Sequence, residues 1–301
     1  MDCSVELVRH LLQSVVYIHT TVSKDHPSTR ILGNERLGSG VVVDASGLIL
    51  TVNYVVMGGQ AISVAFQKGR RAKAEIVAQD FEIGLALIKV SRQGLVAADV
   101  GTGEVVERCD EVVLLGAMGP QERRATGGLV TYIGEFEAHW EYLLDQGIVT
   151  NAPNPGYGGG GLFTMGGRLA GTVSLNLNEI ARSSLAIPAD FYRTHRDEMV
   201  RFGRIVSRPR RAWLGVFAHV IEEGVVVAGV VPDGPGDRGG LQEGDLIVSL
   251  NADEVASRRD LYMSLWRHEP GEALTLEVMR DNKTRRFEVK GGDRVHFFRQ
   301  L

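Results

Sequence analysis

Cysteine is nearly absent from this sequence: Cys3 and Cys109 are the two in 301 residues. Two thiols make no disulfide framework, so a packed core has to hold the fold. Proline is scarce as well, at 9 residues, which excludes collagen-like and proline-rich low-complexity architectures. No run of eighteen or more apolar residues occurs, so no membrane span is expected. There is no basic excess either. Lys and Arg number 33 against 37 Asp and Glu, a net charge of −4, and a nucleic-acid partner would need a basic face. No His, Cys or carboxylate spacing suggests a metal site, and no cofactor is expected. The start, Met1-Asp2-Cys3-Ser4, lacks a charged-then-apolar leader. That implies a cytoplasmic protein if Met1 is the native start, or an exported one if a leader has been removed.

Glycine, by contrast, is abundant: 37 of 301 residues, against a usual share of roughly 7%. With no collagen period, the excess points to many tight turns between strands. The run Ser14–Val22 is β-branched and aromatic, hence a strand, and Val5 to Leu12 before it has helical apolar spacing. Pro27 to Glu35 is polar and reads as a loop. Leu37–Asp44 and Leu48–Val52 read as a hairpin turning at Ala45-Ser46-Gly47. Short apolar runs and Gly-rich turns continue to Val173, the rhythm of an all-β barrel or sandwich pair. A helix is expected from Ala189 to about Phe202, with Pro188 at or just before its start. The seven arginines between Arg193 and Arg211 read as a solvated helix face and linker. After Arg211 the texture changes. Five strands surround a helix over Ser257–Arg267, with Ser257 as its N-cap, the size of a separate small module. The boundaries are set at 1–205 and 206–301.

Three separated stretches carry a resemblance. They are Thr51-Val52-Asn53-Tyr54-Val55-Val56, Gly84-Leu85-Ala86-Leu87-Ile88-Lys89, and Asn154-Pro155-Gly156-Tyr157-Gly158-Gly159-Gly160-Gly161-Leu162. In order, they resemble the catalytic His, Asp and Ser motifs of the HtrA (Deg) family of chymotrypsin-like serine proteases. Gly38-Ser39-Gly40, Asp80 and Ile187-Pro188 fit the same pattern. The resemblance implies a double six-stranded β-barrel of trypsin-like fold over about residues 10–190, and it puts Tyr54, Gly84 and Gly158 at the triad positions. A serine needs a base to become a nucleophile, a phenol of pKa about 10 is a poor base at neutral pH, and glycine offers no reacting group. The expectation is therefore a relative that is not an enzyme and has no catalytic residue. Ser39, Thr126, Thr164 and Ser174 read as ordinary strand or turn residues, and His19 and His139 lie in no motif.

The second module resembles the HtrA-type PDZ domain, a small α+β fold. Trp213-Leu214-Gly215-Val216 matches its carboxylate-binding loop. Gly240-Leu241-Gln242-Glu243-Gly244-Asp245-Leu246-Ile247 matches its turn and strand, and Ser257–Leu265 its peptide-flanking helix. The resemblance implies binding of polypeptide C-termini or unfolded segments, with Trp213 to Val216 as an N–H cradle. Leu214, Val216, Leu261 and Leu265 would line a pocket, or simply fill the small core. The HtrA resemblance of the first domain implies a homotrimer built through that domain, to which Leu7, Leu11, Leu12 and Tyr17 could contribute a surface or, equally, pack on their own domain. The leading expectation is a non-catalytic peptide-binding or scaffolding protein. The alternatives are an endopeptidase with a rearranged site, or a regulatory subunit of an active relative.

Overall fold

The computed structural model describes residues 3–101, 106–177 and 182–299. The chain divides into two compact units: Met1–Phe136 with Leu144–Val206, and Glu137–Leu143 with Ser207–Leu301. The second unit thus takes in a short piece of chain far upstream of the boundary at 205.

The first unit is mainly β, built of two closed six-stranded barrels. Helix α1 (Cys3–Leu11) leads into the first, made of β1 (Val15–Val22), β2 (Glu35–Asp44), β3 (Leu48–Val52), β4 (Gly59–Ala65), β5 (Arg71–Gln79) and β6 (Leu85–Val90), in the order β1-β2-β3-β6-β5-β4. Closure leaves no unpaired strand edge. The hairpin read from sequence forms with Val41 opposite Leu50. Val16, Ile18, Ile49, Leu50, Leu87 and Ile88 are fully buried; neighbours such as Ile49 and Leu50 point to opposite faces of their strand, so β3 and β6 are buried on both sides. Polar Pro27–Glu35, expected as a loop throughout, contains the short helix α2 (Thr29–Leu32) and ends in the first residue of β2. A second short helix, α3 (Asn53–Val56), follows β3. Four-residue helices carry too little periodicity to be seen in sequence.

The second barrel runs β7 (Glu111–Ala117), β8 (Arg123–Ala138), β9 (Tyr142–Thr150), β10 (Gly161–Thr164), β11 (Leu169–Asn176) and β12 (Ser184–Pro188), in the order β10-β11-β12-β9-β8-β7. Helix α4 (Ala189–Phe202) closes the unit and ends at Gly203 in the left-handed conformation (φ 69°), the usual C-terminal stop. Leu7 and Leu11 of α1 lie over the backbone of Gly167 in the same unit, and Leu11 is buried there. Leu11 therefore packs on its own domain instead of offering an intersubunit surface.

The second unit is a sheet ordered β13-β14-β15-β17-β18, with β13 (Val216–Ile221), β14 (Gly224–Val230), β15 (Leu246–Leu250), β17 (Ala273–Arg280) and β18 (Lys283–Lys290); the two-residue β16 (Asp253–Glu254) pairs with β15. Helices α5 (Pro235–Arg238), α6 (Arg258–Leu265) and α7 (Arg294–Phe298) complete it. Helix α6 begins at Ser257 with a reciprocal capping box: the Ser257 hydroxyl accepts from the Asp260 amide, and Asp260 accepts from the Ser257 amide. Such a cap satisfies two otherwise orphaned donors and is worth about 1 kcal/mol.

Candidate functional site

In the first unit, β3 delivers the chain into α3 and so sets Tyr54 at the barrel end. The Gly38 backbone passes tight against Val55: a Cβ on Gly38 would come within 2.4 Å of its Cγ1. Arg36 on β2 fastens the helix from the other side, donating to the carbonyl oxygens of Tyr54 (3.1 Å) and Met57 (2.6 Å). Burial lowers the Arg36 guanidinium to about 10. Gly84 precedes β6 in the left-handed conformation (φ 85°), and its carbonyl accepts from the Asn53 amide at 2.7 Å. Gly84 is thereby tied to α3 through its backbone.

Gly158 lies in the turn before β10, and the fold brings it against Tyr54. A Cβ built on Gly158 would stand 1.9 Å from the Tyr54 hydroxyl oxygen. That hydroxyl donates to the Ser174 carbonyl on β11 at 2.8 Å. Burial pushes the Tyr54 phenol up to about 12, so at neutral pH it is a protonated donor and not a base. The Gly158 carbonyl accepts from the Ser39 amide at 2.7 Å, and the Ser39 hydroxyl donates to the Tyr157 carbonyl at 2.8 Å. Ser39 is fully buried. Amides of the same turn are engaged internally: Gly156 donates to the Asn154 side chain (3.1 Å), Tyr157 to the Ala117 carbonyl (3.1 Å) and Gly159 to the Val173 carbonyl (2.7 Å).

In the second unit, the loop ahead of β13 is occupied. Glu141 places its carboxylate against three successive backbone amides. Oε1 accepts from Gly215 (2.6 Å) and Val216 (3.0 Å), and Oε2 accepts from Leu214 (3.1 Å). Gly215 makes the turn possible with φ 74°, a conformation that costs glycine little. Trp213, expected as part of the N–H cradle, is not: its amide donates to the Gly292 carbonyl at 3.0 Å. The cradle is Leu214 to Val216. The side chains of Leu214, Val216, Leu261 and Leu265 all lie in one buried cluster, none more than 1% exposed. They fill the core, as small-domain geometry requires, and a charge at Leu214 would break the fold before it tested any ligand.

Burial pushes the Glu141 carboxyl above the usual carboxylate range; Arg294 nearby and the three amides pull in the other direction without offsetting it. The neighbouring backbone is held too. Tyr262 on α6 donates to the Ala138 carbonyl (2.6 Å) and accepts from the Glu141 amide (3.0 Å). Arg294 donates to the carbonyls of Trp140 (2.6 Å) and Glu141 (3.1 Å). The Ala218 amide on β13 donates to the His139 carbonyl at 2.7 Å. Sequence reasoning missed Glu141. Its partners are more than seventy residues away, and its flanks read as one continuous β-hairpin.

Family models match a trypsin-like peptidase domain over residues 38–171 and a PDZ domain over 212–290. Among curated relatives, the probable periplasmic serine endoprotease DegP-like of Ectopseudomonas mendocina is 29% identical over 286 residues, covering 89% of this chain and 58% of its own. That of Pseudomonas fluorescens is 30% identical over 277 residues, covering 86% and 56%. This chain thus spans little more than half the length of those relatives. Among solved structures, the HtrA-type protease AlgW with tripeptide superposes with a TM-score of 0.60 at 26% identity, covering 97% of this chain and 98% of that one. These matches correct the expectation that the chain falls outside the enzymes. The relatives it matches are named serine endoproteases. The chain has the HtrA arrangement of a trypsin-like peptidase domain followed by a PDZ domain, with DegP-like serine endoproteases as its homologues.

Proposed function

We propose that this chain is a polypeptide-binding protein whose PDZ module holds C-terminal carboxylates on the amides of Leu214, Gly215 and Val216. One observation carries the reading: those three amides already converge on a carboxylate, that of Glu141, at 2.6–3.1 Å. Charge-assisted hydrogen bonds of this kind are about twice as strong as neutral ones. An incoming peptide would lie along β13, an edge strand of its sheet, and add main-chain bonds there. On the full chain, peptides with a free C-terminal carboxylate should bind at least tenfold more tightly than their C-terminal amides, with micromolar affinity of about −8 kcal/mol. Calorimetric titration of matched pairs checks this. Equal binding of acid and amide would show that the loop does not read C-termini.

In the first unit we place Tyr54, Gly84 and Gly158 where the family carries its His, Asp and Ser. Tyr54 occupies the space a side chain at 158 would need, and the Gly84 carbonyl is bonded to the Asn53 amide beside it; both observations support that placement. A second reading, an endopeptidase, is favoured by the names of the relatives. Hydrolysis here would draw on groups other than those three side chains, and digestion of unfolded casein by re-purified protein is the measurement that favours it. The relatives named periplasmic support the same compartment for this chain. Assembly as a homotrimer remains the proposed state, with Leu12 and Tyr17, both half-buried, better placed than Leu11 to meet a neighbour. Light scattering at tens of micromolar should give a trimer mass, and a monomer mass refutes it.

A further inference from the structure

The groove between β13 and α6 is filled by the protein itself. Residues 138–141 run through it, and Ala138, His139 and Glu141 bond its two walls. The His139 carbonyl takes the Ala218 amide of the edge strand. Tyr262 of α6 bonds the Ala138 carbonyl and the Glu141 amide from the opposite wall. The segment ends, in effect, at the Glu141 side chain, whose two oxygens sit on the Leu214, Gly215 and Val216 amides as a terminal carboxylate would. Glu141 adopts φ 55°, a left-handed conformation rare and unfavourable for a residue with a Cβ.

From this geometry we infer that Glu141 is an internal stand-in for a polypeptide C-terminus, so that a foreign C-terminus binds the PDZ module only by displacing residues 138–141. The inference rests on the carboxylate-reading function proposed above and adds how that site is regulated. The two occupants are mutually exclusive, because three amides cannot be donated twice. The internal one holds the advantage of tethering: it is always present at high effective concentration. It also carries a cost that a true C-terminus escapes. Its backbone is in a left-handed turn. A ligand whose terminal residue is extended, with a carboxylate on its own main chain, is spared the left-handed turn. The closed state therefore lowers the apparent affinity of any ligand by the fraction of molecules left open.

The test uses the full chain, a short synthetic peptide ending in valine with a free carboxylate, and its amide. Glu141→Ala should bind the free-acid peptide at least tenfold more tightly than the unchanged protein. Glu141→Gln, which keeps an acceptor but loses the charge, should fall between. Hydrogen exchange of the Leu214, Gly215 and Val216 amides should be slow in the unchanged protein and fast in Glu141→Ala without peptide. Equal affinity for the acid in all three proteins, with the acid still preferred over the amide, overturns self-occupancy and leaves C-terminal reading standing. If no protein prefers the acid, C-terminal reading fails. Exchange then decides occupancy alone: amides that remain protected in Glu141→Ala overturn it, and amides that open uphold it.

Discussion

Serine at position 158 should destabilise the first unit by about 3 kcal/mol, the upper part of the range for overpacking a filled site. The first atom such a side chain adds would lie 1.9 Å from the Tyr54 hydroxyl and 3.2 Å from the Ser174 carbonyl. Both cannot stay. If Tyr54 swings out, it gives up its 2.8 Å bond to that carbonyl, and a buried carbonyl left without a partner costs roughly 1–3 kcal/mol. The penalty belongs to the pair. In a Tyr54→Ala background the same Gly158→Ser change should cost less than about 1 kcal/mol, giving a coupling within the range for residues in contact. Urea denaturation of the four proteins in the cycle measures it. Equal costs in both backgrounds would mean that Tyr54 does not occupy the space beside residue 158.

The second large effect is expected in the PDZ module. Asp245 is fully buried, and its carboxylate takes the Arg280 Nε at 2.5 Å, Arg280 Nη2 at 2.7 Å and the Gln242 amide at 2.9 Å. Arg280 also donates to the Gly240 carbonyl at 2.8 Å, so one guanidinium pins both ends of the turn leading into β15. Removing one partner of a buried pair strands the other charge, typically at 3–5 kcal/mol. Arg280 keeps some contact with water, its side chain being 16% exposed, which places Arg280→Ala near the lower figure, about 3 kcal/mol. For a domain of this size that lowers Tm by more than about 10 °C. Asp245→Ala with Arg280→Ala should be less damaging than Arg280→Ala alone, since no unpaired charge stays buried. Scanning calorimetry separates the cases. A double variant no more stable than Arg280→Ala would show that the penalty is lost packing and not a stranded charge.

Local patterns in the sequence carried most of the architecture. The hairpin β2–β3, helix α4 with Pro188 at its start and the Ser257 cap of α6 each depend on residues within a few positions of one another, and each is legible. The spatial pairing of Tyr54 with Gly158 was visible through family motifs rather than through chemistry, because glycine announces nothing about what fills the space it leaves. Trp213 was misassigned to the cradle because a backbone amide has no sequence signature: whether it faces a ligand or Gly292 depends on the β-bridge it enters. Glu141 was missed for a related reason. Its burial to 2% is decided by amides more than seventy residues further along the chain.

The central claim is that the amides of Leu214, Gly215 and Val216 form a carboxylate-binding site, and amide nuclear magnetic resonance tests it residue by residue. Titrating Glu141→Ala with the free-acid peptide should shift those three amide resonances downfield together, as charge-assisted hydrogen bonds form, and leave the Trp213 amide, bonded to Gly292, little changed. The amidated peptide should leave all four nearly in place. Shifts from the free-acid peptide that spare Leu214 to Val216 would contradict the claim and move peptide recognition, if any, elsewhere on the chain.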